Sequence, residues 1–193
     1  MAKSTGYKRI KTAVFISGNG SNLYNLIKFS KLKTSPIIID LIISNDSKSK
    51  GLRFAKVFKI KKYIFNFKNK SLAERKILKI LEKNKINLIC LAGFMKILSK
   101  NFVKKFKGKI LNIHPSLLPK YKGLDTHKRV IENKEKYTGC TVHYVTSKLD
   151  SGKIIIQKKI KINKNDTQKI IAKKVLIEEH KLYPQAILKI FNL

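Results

Sequence analysis

An amide and an imidazole stand two residues apart in Leu111-Asn112-Ile113-His114, and Pro115-Ser116-Leu117-Leu118-Pro119 follows them as a stiff turn. Side chains two apart on a strand point the same way, so Asn112 and His114 can meet one reacting atom. An amide holds an oxyanion or a carbonyl, and an imidazole exchanges protons near neutral pH; the pair suits acyl transfer. The same pattern also fits a polar strand-to-turn junction in which one His satisfies local hydrogen bonds.

Two other stretches bear on that choice. Asp150 lies in Lys148-Leu149-Asp150-Ser151-Gly152, where an Asp ahead of a small residue and Gly can simply organise a turn. If the turn folds back toward the sheet's carboxyl edge, the carboxylate can hold the His114 imidazole and favour its protonated form. The second stretch is Ser17-Gly18-Asn19-Gly20-Ser21-Asn22-Leu23, a small-residue loop whose amides can face an anion at a helix's positive end. It lacks the third glycine of the dinucleotide fingerprint and the Lys-Ser/Thr of a Walker loop, which argues against an adenine dinucleotide. His127, His143 and His180 read as structural or supporting residues. No His/Cys/carboxylate spacing argues for zinc, so no metal is expected.

The elements that must position these residues follow from periodicity. Apolar runs of strand length alternate with longer helix-period segments, the pattern of a parallel sheet flanked by helices. Strands are expected near Thr12 to Ser17, Ile37 to Ile43, Lys62 to Phe65, Leu88 to Leu91 and Lys109 to Ile113. Helices are expected near Asn22 to Phe29, Gly51 to Phe58, Leu72 to Asn84 and Lys100 to Phe106. Past Pro119 the rhythm changes: a short helix from Thr126 to Glu132, then Thr141 to Thr146 and Lys153 to Ile162 as a hairpin-like pair around Asp150-Ser151-Gly152. A long final helix runs from about Asp166 to Ile190, with Thr167 available as a cap and a bend expected near Pro184.

The chain has 193 residues and no Pro/Gly/Ser-rich linker, which reads as one domain over 1–193. Its formal net charge of +33 points first to nucleic acid or an anionic surface. The basic residues are mostly Lys and are spread along the whole length, with no compact block or stacking-aromatic motif, so no specific nucleic-acid partner is expected. The two cysteines, Cys90 and Cys140, form no metal knuckle or disulfide framework. A reducing cytoplasm is therefore the expected compartment. The N-terminus has no signal-peptide pattern, and Ala13 to Ile16 is too short to span a bilayer, so no membrane partner is expected.

Four blocks resemble the phosphoribosylglycinamide formyltransferase family: Val14 to Leu23, Leu91-Ala92-Gly93-Phe94-Met95-Lys96-Ile97-Leu98, Leu111 to Tyr121, and Thr141-Val142-His143-Tyr144-Val145-Thr146 through Asp150. The resemblance covers nearly the whole chain. It implies a Rossmann-like, mostly parallel sheet and transfer of a formyl group from 10-formyltetrahydrofolate, the co-substrate, to the glycinamide amine. It places Asn112, His114 and Asp150 in the catalytic positions, with Gly20, Ser21, Asn22 and Glu179 on the phosphoribosylglycinamide. It places Lys70, Met95, Lys96, Ile97, Leu98, Asn112, Thr146, Ser147, Lys148, Leu149 and Asp150 on the formyl-folate. Lys70 and Lys96 stand where the family often has Arg, trading a planar fork for a point charge. Leu176 replaces a Gln, and Lys122 and Asp125 replace a Pro and a His. Small-molecule partners and a monomer or homodimer are expected.

Two other formyl-folate users share this logic, the hydrolase that releases formate and the transferase that formylates initiator methionyl-tRNA. A hydrolase needs no sugar-phosphate cradle. The tRNA enzyme ordinarily carries a further domain, for which no room is expected after Leu193. A non-enzymatic polyanion binder would explain the charge and leave the four blocks unexplained.

Overall fold

The isoleucine- and valine-rich runs pair into one seven-stranded sheet in a computed structural model that describes residues 9–193. In chain order the strands are β1 (Ile10–Ile16), β2 (Ile37–Ser44), β3 (Lys61–Ile64), β4 (Leu88–Leu91), β5 (Lys109–His114), β6 (Tyr137–Tyr144) and β7 (Ile154–Lys161). The spatial order is β3-β2-β1-β4-β5-β6-β7. The first five run parallel, while β6 and β7 are antiparallel to their neighbours. The helices are α1 (Ser21–Ser30), α2 (Arg53–Val57), α3 (Lys70–Lys83), α4 (Lys100–Lys105), α5 (Thr126–Glu132) and α6 (Gln168–Ile190). The expected α/β class with a C-terminal strand pair and a long last helix is what forms.

Alternation divides the buried side chains between the two faces of the sheet. Val14 and Ile16 of β1 pack with Leu23, Leu26 and Ile27 of α1 and with Ile171, Val175 and Tyr183 of α6. Ala13 and Phe15 pack with Ile77 and Leu81 of α3 and Phe102 of α4. On β2 the inward parity changes between Ile39 and Leu41, because the β1–β2 register skips Asp40. The displaced carboxylate reaches Lys11 Nζ at 2.8 Å.

Three expectations are adjusted. The helix expected over Gly51 to Phe58 is a 3₁₀ turn, Lys50–Leu52, leading into the single turn of α2. β6 starts at Tyr137 and ends at Tyr144, rather than running from Thr141 to Thr146, because Tyr137-Thr138-Gly139 carries little apolar signal although its backbone pairs with Ile160 and Lys159. The β6–β7 connection is residues 145–153 rather than a tight turn, with Asp150-Ser151-Gly152 at its far end.

α6 is one unbroken helix with Thr167 as its N-cap and Pro184 inside it. Proline has no N–H, so the carbonyl of His180, four residues earlier, loses its helical donor. Asn25 Nδ2 of α1 donates to that carbonyl instead. Deeper in the helix the Tyr183 hydroxyl, fully buried, reaches Leu91 O at 3.0 Å and Leu111 O at 3.1 Å. It thereby ties α6 to the ends of β4 and β5, the part of the sheet that carries Asn112. Among the described residues no helix is long and apolar enough to cross a membrane.

Candidate active site

A cleft of about 1130 Å³ opens at the carboxyl ends of β1, β4 and β5, the usual place for ligands on an open α/β sheet. Asn112 and His114 enter it from the end of β5. His114 Nδ1 lies 3.4 Å from Asp150 Oδ2. Asn112 Nδ2 lies 3.4 Å from Asp150 Oδ1. Residues 38 positions apart in the chain thus converge as one amide, one imidazole and one carboxylate.

The backbone around this cluster is set to hold it. Asp150 sits at φ 42° and Tyr121 at φ 57°, left-handed conformations that cost energy for residues with a Cβ and tend to gather at functional sites. Turned this way, Tyr121 presents its carbonyl 2.8 Å from His114 Nε2. The Gly123 N–H donates to Asp150 Oδ2 at 2.9 Å. The proline turn is pinned by the buried Thr141 hydroxyl, which donates to Ser116 O at 2.6 Å and accepts from Leu118 N at 3.1 Å. Gln157 Nε2 donates to the same hydroxyl and to Leu118 O, both at 2.8 Å.

Burial pushes the His114 pKa below its ordinary 6.5, outweighing the Tyr121 carbonyl and the Asp150 charge, which push it up. Asp150 acts on the imidazole in the expected direction, toward the protonated form, and burial in the cleft works against it more strongly. For Asp150 burial favours the protonated form, yet the contacts with His143, the Gly123 N–H and the charge of His114 outweigh it and hold the carboxyl below the usual range.

His143, read from sequence as a supporting residue, belongs to the cluster. Its Nε2 lies 3.2 Å from Asn112 Nδ2 and 3.6 Å from Asp150 Oδ1, and its Nδ1 faces Tyr144 O at 2.8 Å. The signal that could have placed it is strand register, since Asn112 and His143 are direct partners across the antiparallel β5–β6 pair.

On the opposite wall, Ser17 to Asn22 line the cleft. Gly20 is the N-cap of α1 at φ 76°, and among the described residues no side chain caps the helix, so its first N–H groups can face an anion. A Cβ on Gly20 would lie 2.7 Å from Gly51 Cα, which leaves no room there for any other residue. Ser17 Oγ accepts from Met95 N at 2.7 Å and donates to Asn45 Oδ1, linking the loop to the segment after β4. Glu179 and Leu176 of α6 also line the cleft, and Asn22 Nδ2 donates to Glu179 Oε2 at 2.7 Å. Burial raises the Glu179 pKa to about 7, against the lowering effect of Asn22.

Met95, Lys96, Ile97, Leu98, Thr146, Lys148, Leu149 and Asp150 all line the cleft. Met95, Ile97, Leu124 and Leu149 are 65%, 55%, 69% and 45% exposed, giving it an apolar mouth. The structure does not bring Lys70 and Ser147 into the lining. Lys70 opens α3 just after Phe67, whose ring meets Phe94 at 5.6 Å. Among the described residues no group of three His, Cys, Asp or Glu side chains is placed to hold a metal ion.

Residues 10–187 match the family model described as formyl transferase, and the fold and cleft just described are carried by that stretch. The chain belongs to the formyl transferase family. Within it, the chain is 41% identical over 180 residues to phosphoribosylglycinamide formyltransferase of Haemophilus influenzae, covering 92% of this chain and 85% of that one. The crystal structure of phosphoribosylglycinamide formyltransferase from Brucella melitensis superposes with a TM-score of 0.89 at 41% identity, covering 95% and 96% of the two chains. The human trifunctional purine biosynthetic protein adenosine-3 is 42% identical over 183 residues, 93% of this chain. This chain spans only 18% of that relative's length. The resemblance seen in the four sequence blocks is thus to phosphoribosylglycinamide formyltransferases in particular.

Proposed function

We propose that this chain transfers the formyl group of 10-formyltetrahydrofolate to the amine of 5-phosphoribosylglycinamide, a step of purine biosynthesis, and that residues 1–193 work as one domain. The observation that carries the reading is the opposition, across one cleft, of an uncapped helix N-terminus and the Asn112, His114 and Asp150 cluster. A phosphate on the N–H groups of Gly20, Ser21 and Asn22 leaves the ribose hydroxyls to Glu179, which is tied to Asn22. The glycinamide arm then extends toward His114.

Met95, Lys96, Ile97 and Leu98 on one lip, and Thr146 through Asp150 on the other, take the pterin of the formyl-folate in an apolar slot with backbone groups for specificity. Lys70 and Ser147 serve its outer parts. The co-substrate supplies the acyl carbon, and the side chains manage charge and protons. Neutral His114 takes the proton that the attacking amine sheds and returns it to the folate nitrogen as the carbon–nitrogen bond to the formyl group breaks, so that tetrahydrofolate leaves. The resulting imidazolium has one N–H on Tyr121 O and the other toward the ionised Asp150. The 3.4 Å contact of Asn112 Nδ2 to Asp150 is long, so that N–H can turn to the developing oxyanion. This route needs neither a covalent enzyme intermediate nor a metal. We infer a cytoplasmic enzyme of small molecules, a monomer or homodimer, with no specific nucleic-acid or membrane partner.

The test is an assay with both substrates and a parallel one without phosphoribosylglycinamide. Formylated product and tetrahydrofolate should appear together and only when the acceptor is present. Formate release at the same rate without acceptor would make this a hydrolase.

A further inference from the structure

Glu179 is a carboxyl in an unusual setting for a chain with 44 Lys and Arg residues. It is only 7% exposed, and among the described residues it has no ion-pair partner. Its hydrogen bond comes from Asn22 Nδ2 at 2.7 Å. Asn22 is equally buried, and among the described residues its Oδ1 has no hydrogen-bond partner. Both residues line the cleft. The corner therefore presents unmet acceptors to the cleft, and a buried acceptor left unmet is costly.

The groups around this corner do not supply a countercharge. α1 contributes Asn22, β6 contributes Cys140, and α6 itself contributes Tyr183. Burial raises Cys140 to about 12 and Tyr183 well above its ordinary value, so both are neutral. His127 of α5, on the same cleft, is pushed below its ordinary 6.5 by burial, away from its charged form. A buried carboxylate without a countercharge favours its protonated form.

We propose that Glu179 is a substrate-linked proton switch positioned by Asn22: its carboxyl carries a proton while the sugar site is empty and releases it to solvent when the ribose hydroxyls bind. The proposal rests on the reading of this corner as the ribose end of the substrate site. A carboxylate accepts two hydroxyls at once, whereas the neutral acid has an O–H of its own to satisfy. Binding of the diol thus selects the ionised form. Asn22 donates to the carboxylate and so limits how tightly the proton is held.

The experiment is ¹³C-carboxyl NMR of the glutamate-labelled full chain, titrated alone and with saturating phosphoribosylglycinamide, with turnover measured on the same samples. The free protein should show one glutamate titrating near pH 7, absent in Glu179→Gln, with that signal ionised across the same range in the complex. Substrate affinity, measured by calorimetry, should weaken about tenfold from pH 8 to pH 6 in the wild type and hold nearly constant in Glu179→Gln. Asn22→Leu should move the glutamate midpoint to higher pH. Turnover with no glutamate titrating near pH 7, or with the same midpoint free and bound, would overturn the switch and leave the assigned reaction standing. No turnover and no substrate-induced change would overturn both.

Discussion

Replacing Gly152 with Ala tests whether the position of Asp150 governs the reaction. A Cβ there would lie 1.7 Å from Tyr144 O and 2.7 Å from Tyr144 C. Ordinary carbon–oxygen contact begins near 3.3 Å, so the two backbones must part by about 1.6 Å. That movement breaks the Tyr144 N to Lys153 O bond of 3.0 Å. The loss is about 1 kcal/mol, and the crowding adds about 1–3 kcal/mol, for a total fall in stability of about 2–4 kcal/mol. Asp150 is two residues away, and its contacts to His114 and His143 already stand at 3.4 and 3.6 Å. A further ångström separates them, and errors of that size cost about 100-fold in rate. Urea unfolding and steady-state kinetics read the two effects separately. The expected result is kcat down about 100-fold, with the affinity for phosphoribosylglycinamide within about threefold of wild type, because the α1 loop is untouched. A variant with wild-type turnover would refute the reasoning that this connection aims the carboxylate.

Other outcomes follow from the same contacts. Glu179 is raised from 4.5 to about 7, so between those pH values the folded chain keeps a proton that the unfolded chain has lost. The stability that proton confers is full below the lower value and gone above the upper one. Glu179→Gln should therefore be up to about 3 kcal/mol more stable than wild type at pH 8 and equal to it near pH 4.5 by denaturant melts. Asp150→Asn removes the charge that pushes the His114 pKa up. The acid limb of the pH–rate profile should shift to lower pH while the maximum drops about 100-fold; an unmoved limb would assign the carboxylate to turn geometry alone. Thr141→Val strips the donor to Ser116 O and the acceptor of Leu118 N and Gln157 Nε2. It should cost about 2–4 kcal/mol in urea unfolding, since buried partners are left unmet.

Much of the fold was legible because it rests on local patterns. The apolar runs of β1, β2 and β4 carry buried side chains on both faces and read as strands of a covered parallel sheet. α1 declared itself by Gly20 ahead of an apolar 3.6-residue rhythm. The start of β6 was hidden because its pairing with β7 is a backbone matter that Thr138 and Gly139 do not advertise. The unbroken course of α6 through Pro184 depends on Asn25, which lies 155 residues from the carbonyl it satisfies. At the site, Asn112 and His114 were brought to one face by period-two alternation, while Asp150 joined them through the family resemblance, its place before a turn fitting a structural Asp as well. Less visible were the supports: the Tyr121 carbonyl turned by a positive φ, the Gly123 N–H, and His143 set beside Asn112 by register. The net direction of the His114 shift was not legible either, since the burial that outweighs Asp150 is a property of the packed cleft.

In the proposed formyl transfer, His114 is the group that moves the proton. His114→Ala should lower kcat at least 100-fold in the two-substrate assay, with calorimetric affinities for phosphoribosylglycinamide and a non-transferable folate analogue within about fivefold of wild type and an unchanged melting profile in the presence of both. Transfer within fivefold of wild type by that variant would contradict it.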